Sequence, residues 1–209
     1  MANMQKIVIG LFGCGTIGSG VVKLIRKGIG GKYGLDIKIK TIVDINPSIP
    51  RYAGIRYSKD FNDILQDKEI DIGIELIGGY EPAFSIQKNI LRSGKHLVTA
   101  NKAVLSRYSR QIFRLAKEKD RFVGFEASVC GSIPIIQVIN RCMPNKINTI
   151  MGIFNGSTNY ILNQMEEKEY DLALKEAQQK GFAERNPDFD VKGLDSAQKL
   201  AIISGILKC

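Results

Sequence analysis

The chain opens on a continuous apolar run at residues 6–12 (KIVIGLF), followed by a glycine-rich segment and then by apolar positions at helical spacing over residues 17–27. Such a run predicts a strand buried on both faces, and the change of period predicts the helix behind it. The alternation recurs. Residues 38–45 (KIKTIVDI), 71–77 (DIGIELI), 96–100 (HLVTA) and 121–128 (RFVGFEAS) read as strands, and residues 61–66, 82–92 and 106–119 read as the intervening helices. Strands alternating with helices predict an α/β unit built on a doubly wound parallel sheet.

Beyond residue 130 the pattern changes. Residues 132–141 read as a helix after the break at Gly131, 146–154 (KINTIMGIF) as a strand, and 158–168, 171–180 and 193–207 as helices. The expected division is therefore 1–130 and 131–209, the second part being the start of an α+β unit. One strand cannot satisfy its own backbone, and sheets need several. The final apolar stretch, LAIISGILKC, has no capping turn. These two features predict a truncated second unit, or one whose partner strands come from another subunit.

Composition narrows the class. With 44% hydrophobic and 24% charged residues in 209, the chain reads as an ordinary globular protein. No apolar run approaches the roughly 20 residues that cross a bilayer, and the N-terminus lacks the pattern of a secretory signal. Cys14, Cys130, Cys142 and Cys209 form no C-x-x-C pair and have no histidine near them in the sequence. A zinc site or disulfide framework is not expected, and a reducing cytoplasm fits. The net charge of +9 favours anionic partners such as dinucleotides, phosphates or carboxylates. The basic residues are scattered without interleaved aromatics, so nucleic acid is not expected. The one histidine, His96, opens a strand, which leaves acid–base chemistry to lysines and carboxylates.

Gly13-Cys14-Gly15-Thr16-Ile17-Gly18 is a G-x-G-x-x-G between the first strand and the first helix. The first glycine permits a tight turn, the second lets a pyrophosphate approach the backbone, and the third allows close helix–strand packing. The helix N-terminus faces the anion. In that context the motif predicts a Rossmann-type dinucleotide site spanning Gly13, Gly15, Thr16, Ile17 and Gly18. Asp44, at the end of the second strand, is placed to hold both ribose hydroxyls of NAD, or else to serve as a turn residue before Pro47. Lys102, in the TANKA segment at the carboxyl end of the fourth strand, is placed at the ligand crevice, or else is a surface lysine in a loop. Asp195 and Lys199, four residues apart on one helix face, form either a proton-transfer pair or a surface salt bridge.

Several motifs together resemble homoserine dehydrogenase, in order along essentially the whole chain. They are GLFGCGTIGSGV, ELIGG at 75–79, TANKA at 99–103, FEASVCGSIPII at 125–136, GIFNGSTNYIL at 152–162, and the charged stretch 177–199. The resemblance implies a nicotinamide-dependent (NAD or NADP) interconversion of L-aspartate 4-semialdehyde and L-homoserine, in the threonine and methionine branch of amino-acid synthesis. It makes residues 131–209 part of a substrate and dimerisation domain, and the protein a homodimer. Lys199 is implied as proton donor to the carbonyl oxygen, with Asp195 beside it. Lys102 is implied at cofactor and substrate, Glu184 at the substrate amino group and Asp190 at the substrate pocket. Glu126, Val129, Gly131 and Ile133 are implied as a monovalent-cation site for sodium or potassium. The chain departs from the family pattern at Ser157, where threonine is common, and at Val43, where an arginine often accompanies the acid. Val43 favours NAD. The chain also stops where the family continues. A cysteine-dependent semialdehyde dehydrogenase is disfavoured, because Cys14 lies in the phosphate loop and Cys130 has no histidine close in the sequence to activate it. The remaining alternative is a catalytically silent dinucleotide-binding fragment, or half of a split protein.

Overall fold

The fold is that of a computed structural model, which describes residues 4–143 and 145–207. The chain divides into two units, Met1–Gly131 and Ser132–Cys209. In the first, the elements run β1 (Gln5–Phe12), α1 (Thr16–Arg26), β2 (Leu35–Val43), β3 (Arg56–Ser58), α2 (Asn62–Leu65), β4 (Ile72–Glu75), α3 (Ala83–Arg92), β5 (His96–Thr99), α4 (Lys102–Glu118) and β6 (Val123–Gly124). They form a six-stranded sheet in the order β3-β2-β1-β4-β5-β6, with every pairing parallel. The strand order reverses beside β1, and in open α/β sheets ligands bind in the crevice at that reversal.

Both faces of the sheet are covered, as the unbroken apolar run of β1 requires. Its neighbours Leu11 and Phe12 are fully buried in opposite cores. Leu11 joins Val22 and Ile42 on one side, and Phe12 joins Ile90, Leu97 and Ile112 on the other. Two glycines set the helix–sheet spacing. A Cβ on Gly10 would stand 2.4 Å from Cγ2 of Ile64, and one on Gly73 would stand 2.8 Å from Cγ2 of Ile90.

The structure departs from the sequence reading in places. β3 is an addition; three residues are too few to show a period, and its pairing with Thr41–Val43 is what makes it a strand. The last strand shrinks to β6, and Glu126–Ser128 turns into a 3-10 helix. Helix α4 begins at Lys102 rather than 106, because Asn101 caps it by accepting the Val104 N–H at 3.1 Å. Lys102 is thus a first-turn residue, not a loop residue.

The second unit contains α5 (Ile135–Cys142), α6 (Gly156–Gln164), α7 (Tyr170–Gln179), α8 (Asp188–Val191) and α9 (Leu194–Ile206). The strand expected at residues 146–154 is not formed. That segment pairs with no strand among the described residues, and Met151 and Ile153 are 86% and 67% exposed. Periodicity predicts a capacity to pair, but a strand exists only where a neighbour accepts its hydrogen bonds. Cys209 lies outside the described residues, and no described helix is long and apolar enough to cross a membrane.

Candidate active site

The glycine loop joins β1 to α1, and its three glycines meet three different constraints. Gly13 has φ +91°, and its N–H donates to the Val43 carbonyl at 2.9 Å. A Cβ there would come within 3.0 Å of the Leu76 backbone. At Gly18 a Cβ would stand 2.3 Å from the Gly13 carbonyl oxygen, so α1 sits on the loop at a distance only glycine permits. At Gly15 a Cβ would meet nothing within 4 Å. The backbone there borders open space ahead of the α1 N-terminus, where Thr16 and Ile17 begin the helix. That arrangement fits an anionic pyrophosphate.

Asp44 follows β2 directly. One carboxylate oxygen accepts the Cys14 N–H at 2.7 Å and the other accepts the Asn46 N–H at 2.9 Å. It therefore does hold a turn, and it ties that turn to the glycine loop. Each oxygen keeps a second lone pair for a ligand hydroxyl. A cavity of about 260 Å³ lies alongside, lined by Gly13, Gly15, Asp44, Ile45, Leu76 and Ile77 among others. A neighbouring hollow of about 230 Å³ carries Asp44, Ser58, Arg51 and Lys59. The Arg51 guanidinium stacks over Tyr57 at 4.4 Å. Cys14 is buried, and burial pushes its thiol pKa up against the opposing influence of Ser19. That environment is unsuited to a nucleophile.

Past β4 and β5 lies a buried polar cluster that sequence reasoning missed. Glu75 is fully buried. One carboxylate oxygen accepts the N–H groups of Ile77 (2.8 Å) and Gly78 (3.2 Å). The other accepts Gln87 Nε2 (2.7 Å) and Thr99 Oγ1 (2.9 Å). Gln87 Oε1 is left without a hydrogen bond, a cost of about 1–3 kcal/mol, which is offset by the charge-assisted bond its amide gives to Glu75. Thr99 Oγ1 also accepts the Asn101 N–H, and Asn101 Nδ2 donates to the Gly79 carbonyl at 2.9 Å. Lys102 begins α4 one residue on. The available signal was a glutamate ending an otherwise apolar strand.

In the second unit, Asp195, Lys199, Asn155 and Asp190 converge. Asp195 is 2% exposed, so its pairing with Lys199 is no surface bridge. Lys199 Nζ donates to Asp195 Oδ2 and to the Phe154 carbonyl, both at 2.6 Å. Asn155 caps α6 by accepting the Thr158 N–H at 2.8 Å. Its amide nitrogen donates to Asp195 Oδ2 at 2.9 Å and to Asp190 Oδ1 at 2.7 Å. Ser157 donates to Asp190 Oδ2 at 3.2 Å. Asn155 thus joins the α6 N-terminus to α8 and α9, a role its cap position alone does not reveal. Glu184 is exposed, and its carboxylate makes no hydrogen bond or ion pair among the described residues; the structure does not bring it into this cluster. Of the residues expected at a cation, Glu126 opens a 3-10 helix, Val129 is buried and Gly131 has φ +58°. Ile133 is exposed in the second unit, its carbonyl accepting the Ile135 N–H at 2.8 Å.

Comparison with known proteins agrees with both descriptions. Residues 13–126 match the family model described as homoserine dehydrogenase, NAD binding domain, and residues 134–208 match the one described as homoserine dehydrogenase. The chain is 38% identical to the homoserine dehydrogenase of Pseudomonas aeruginosa, over 97% of this chain and 48% of the relative. To that of Helicobacter pylori it is 39% identical, over 97% and 49%. The crystal structure of a homoserine dehydrogenase from Thiobacillus denitrificans superposes with a TM-score of 0.89 at 39% identity, over 99% of this chain and 50% of that one. The Staphylococcus aureus homoserine dehydrogenase at pH 8.5 gives 0.82 at 39%. The chain spans about half the length of the curated relatives it matches. With both of its units matched, the chain belongs to the homoserine dehydrogenase family.

Proposed function

We propose that this protein interconverts L-aspartate 4-semialdehyde and L-homoserine, the first unit binding the nicotinamide dinucleotide and the second supplying the proton chemistry. The observation that carries this reading is the buried Asp195–Lys199 pair joined to Asn155 and Asp190. A bound nicotinamide supplies or accepts the hydride. The chain's own part is to manage the charge that builds on the aldehyde oxygen. An ammonium nearby stabilises that charge and protonates it. Two of the three Lys199 N–H groups are held by Asp195 and the Phe154 carbonyl, which fixes Nζ and leaves one N–H for the substrate oxygen. Asp195, buried and shared with Asn155, holds that ammonium in place. Asp190, and Glu184 on the loop before α8, offer carboxylates to the substrate ammonium. Lys102 is assigned to cofactor and substrate at the sheet crevice. Glu126 with the carbonyls of Val129 and Gly131 is assigned to a sodium or potassium ion, whose chemistry oxygen donors suit.

For the cofactor we favour NAD, because the Asp44 carboxylate repels a 2′-phosphate and Val43 supplies no cation to offset it. The Arg51 and Lys59 side chains in the adjoining hollow support NADP as the second reading. The exposed Met151, Ile153, Leu162 and Leu194 of the second unit support a homodimer.

One experiment tests the reaction and the cofactor together. Oxidation of NADH and of NADPH is followed with aspartate semialdehyde, for the protein and for Lys199→Ala. We expect the wild type to prefer NADH and the variant to lose at least about 100-fold in kcat, the scale of a general acid. Equal rates for the two proteins would remove Lys199 from its role.

A further inference from the structure

We propose that Glu75 is the positioning residue of the dinucleotide crevice: its buried carboxylate sets the 76–79 turn against the glycine loop and links that turn to the start of α4. The inference deepens the reading of the first unit as a dinucleotide site and rests on it.

A fully buried carboxylate is a costly thing to place in a sheet, and it persists only where every acceptor site is used. Here the two oxygens divide their work. One takes the Ile77 and Gly78 N–H groups and so fixes the turn directly after β4. That turn needs help, since Gly78 and Gly79 both have positive φ, at 83° and 69°, and such glycines leave the unliganded chain free to wander. The other oxygen takes Gln87 of α3 and Thr99 of β5. Thr99 passes the connection to the Asn101 N–H, and Asn101 closes the ring on the Gly79 carbonyl. Ser128 adds a bond to the Thr99 carbonyl at 3.0 Å. The held turn is also the wall of the cavity beside Asp44, through Leu76 and Ile77. It abuts the glycine loop so closely that a Cβ on Gly13 would meet the Leu76 carbonyl carbon at 3.0 Å. A shift of the turn by an ångström therefore changes the crevice itself, at a distance from any residue of the glycine motif.

The acceptor, rather than the charge, is what the turn requires. Glu75→Gln keeps one oxygen for Ile77 and Gly78, and its new amide can donate to Gln87 Oε1 once the Gln87 amide flips. Glu75→Ala removes the acceptor that both N–H groups share and so frees the turn.

The test measures NADH and NADPH dissociation constants by titration calorimetry on the full chain, with hydrogen exchange of the 76–79 amides read alongside. We expect Glu75→Ala to weaken binding at least about 10-fold and to unprotect Ile77 and Gly78, while Glu75→Gln stays within about 3-fold of the wild type. Ile90→Val, a core change that also lowers the melting temperature, serves as control for lost stability and should leave the dissociation constant unchanged. If Glu75→Ala does not fold, Thr99→Val, which removes one bond to the carboxylate and one to Asn101, should still weaken binding about 3-fold or more. Wild-type affinity in folded Glu75→Ala, or in Thr99→Val where Glu75→Ala does not fold, overturns the proposal, as does an equal loss in Ile90→Val. A wild type that binds neither dinucleotide overturns the reading beneath it as well.

Discussion

Single side chains and single missing side chains set the limits of both candidate sites. The two glycines at Gly15 and Gly18 occupy one motif and do different work, which a pair of substitutions separates. Gly18→Ala forces a Cβ to within 2.3 Å of a backbone oxygen that cannot rotate away. The overpacking, about 1–3 kcal/mol, exceeds the roughly 1 kcal/mol of helix propensity that alanine restores. Gly15→Ala meets only open space. We expect Gly18→Ala to lower the urea midpoint and dinucleotide affinity together. Gly15→Ala should lower affinity while leaving the midpoint nearly unchanged; denaturation curves beside titration calorimetry distinguish the two. At the second site, the same scale explains why an i,i+4 carboxylate–lysine pair is more than a surface bridge. The sequence spacing is common, but a carboxylate only 2% exposed and shared between Lys199 and Asn155 is not.

Between elements, the contacts that hold α6 and α7 together are partly ionic. Lys168, Lys180 and the Tyr160 hydroxyl all converge on Glu176, and Tyr160 stacks on Phe182 at 4.3 Å. The bonds from Lys168, then Lys180, then Tyr160 hold the Glu176 carboxyl at about 2, below its ordinary 4.5. A carboxyl whose folded value is depressed adds stability above its unfolded value, and that stability is lost as the pH falls through the window toward the folded one. The contribution of Glu176 should therefore be complete above about pH 5 and fade between about 4.5 and 2. Urea midpoints of the wild type and Glu176→Gln should differ at pH 7 and converge near pH 2, with high salt narrowing the gap because the cluster lies near the surface. At this scale the sequence told most where an element is long and periodic. β1, α1, α3 and α7 fall within a few residues of their expected places. It told least where an element depends on a neighbour. β3 exists through its pairing with β2, residues 146–154 find no such neighbour among the described residues, and the four-residue α8 shows no period at all.

The whole molecule divides into two units, and if they carry the separate roles proposed for them, ligand binding should report it. A dinucleotide held only by the first unit stabilises that unit alone. At 100 times its dissociation constant it adds about 2.7 kcal/mol, or roughly 10 °C for a unit of this size. Differential scanning calorimetry with added NADH should move the transition of the first unit by that amount and leave the second in place. A uniform shift of the whole profile would show that the second unit also holds the ligand.

The sequence by itself determined the parallel α/β architecture, the glycine-rich turn between β1 and α1 and the identity of the charged pair. These follow from local period, from glycine's missing Cβ and from chemical type, all of which are properties of short stretches of chain. Only the tertiary structure decided that Asp195 is buried, that Asn155 connects it to Asp190, that Asp44 already braces the glycine loop, and that Glu75 sits at the centre of a polar cluster drawn from four segments. Burial and multi-point hydrogen bonding depend on residues far apart in the chain being brought within about 3 Å of one another, and no local pattern encodes that distance.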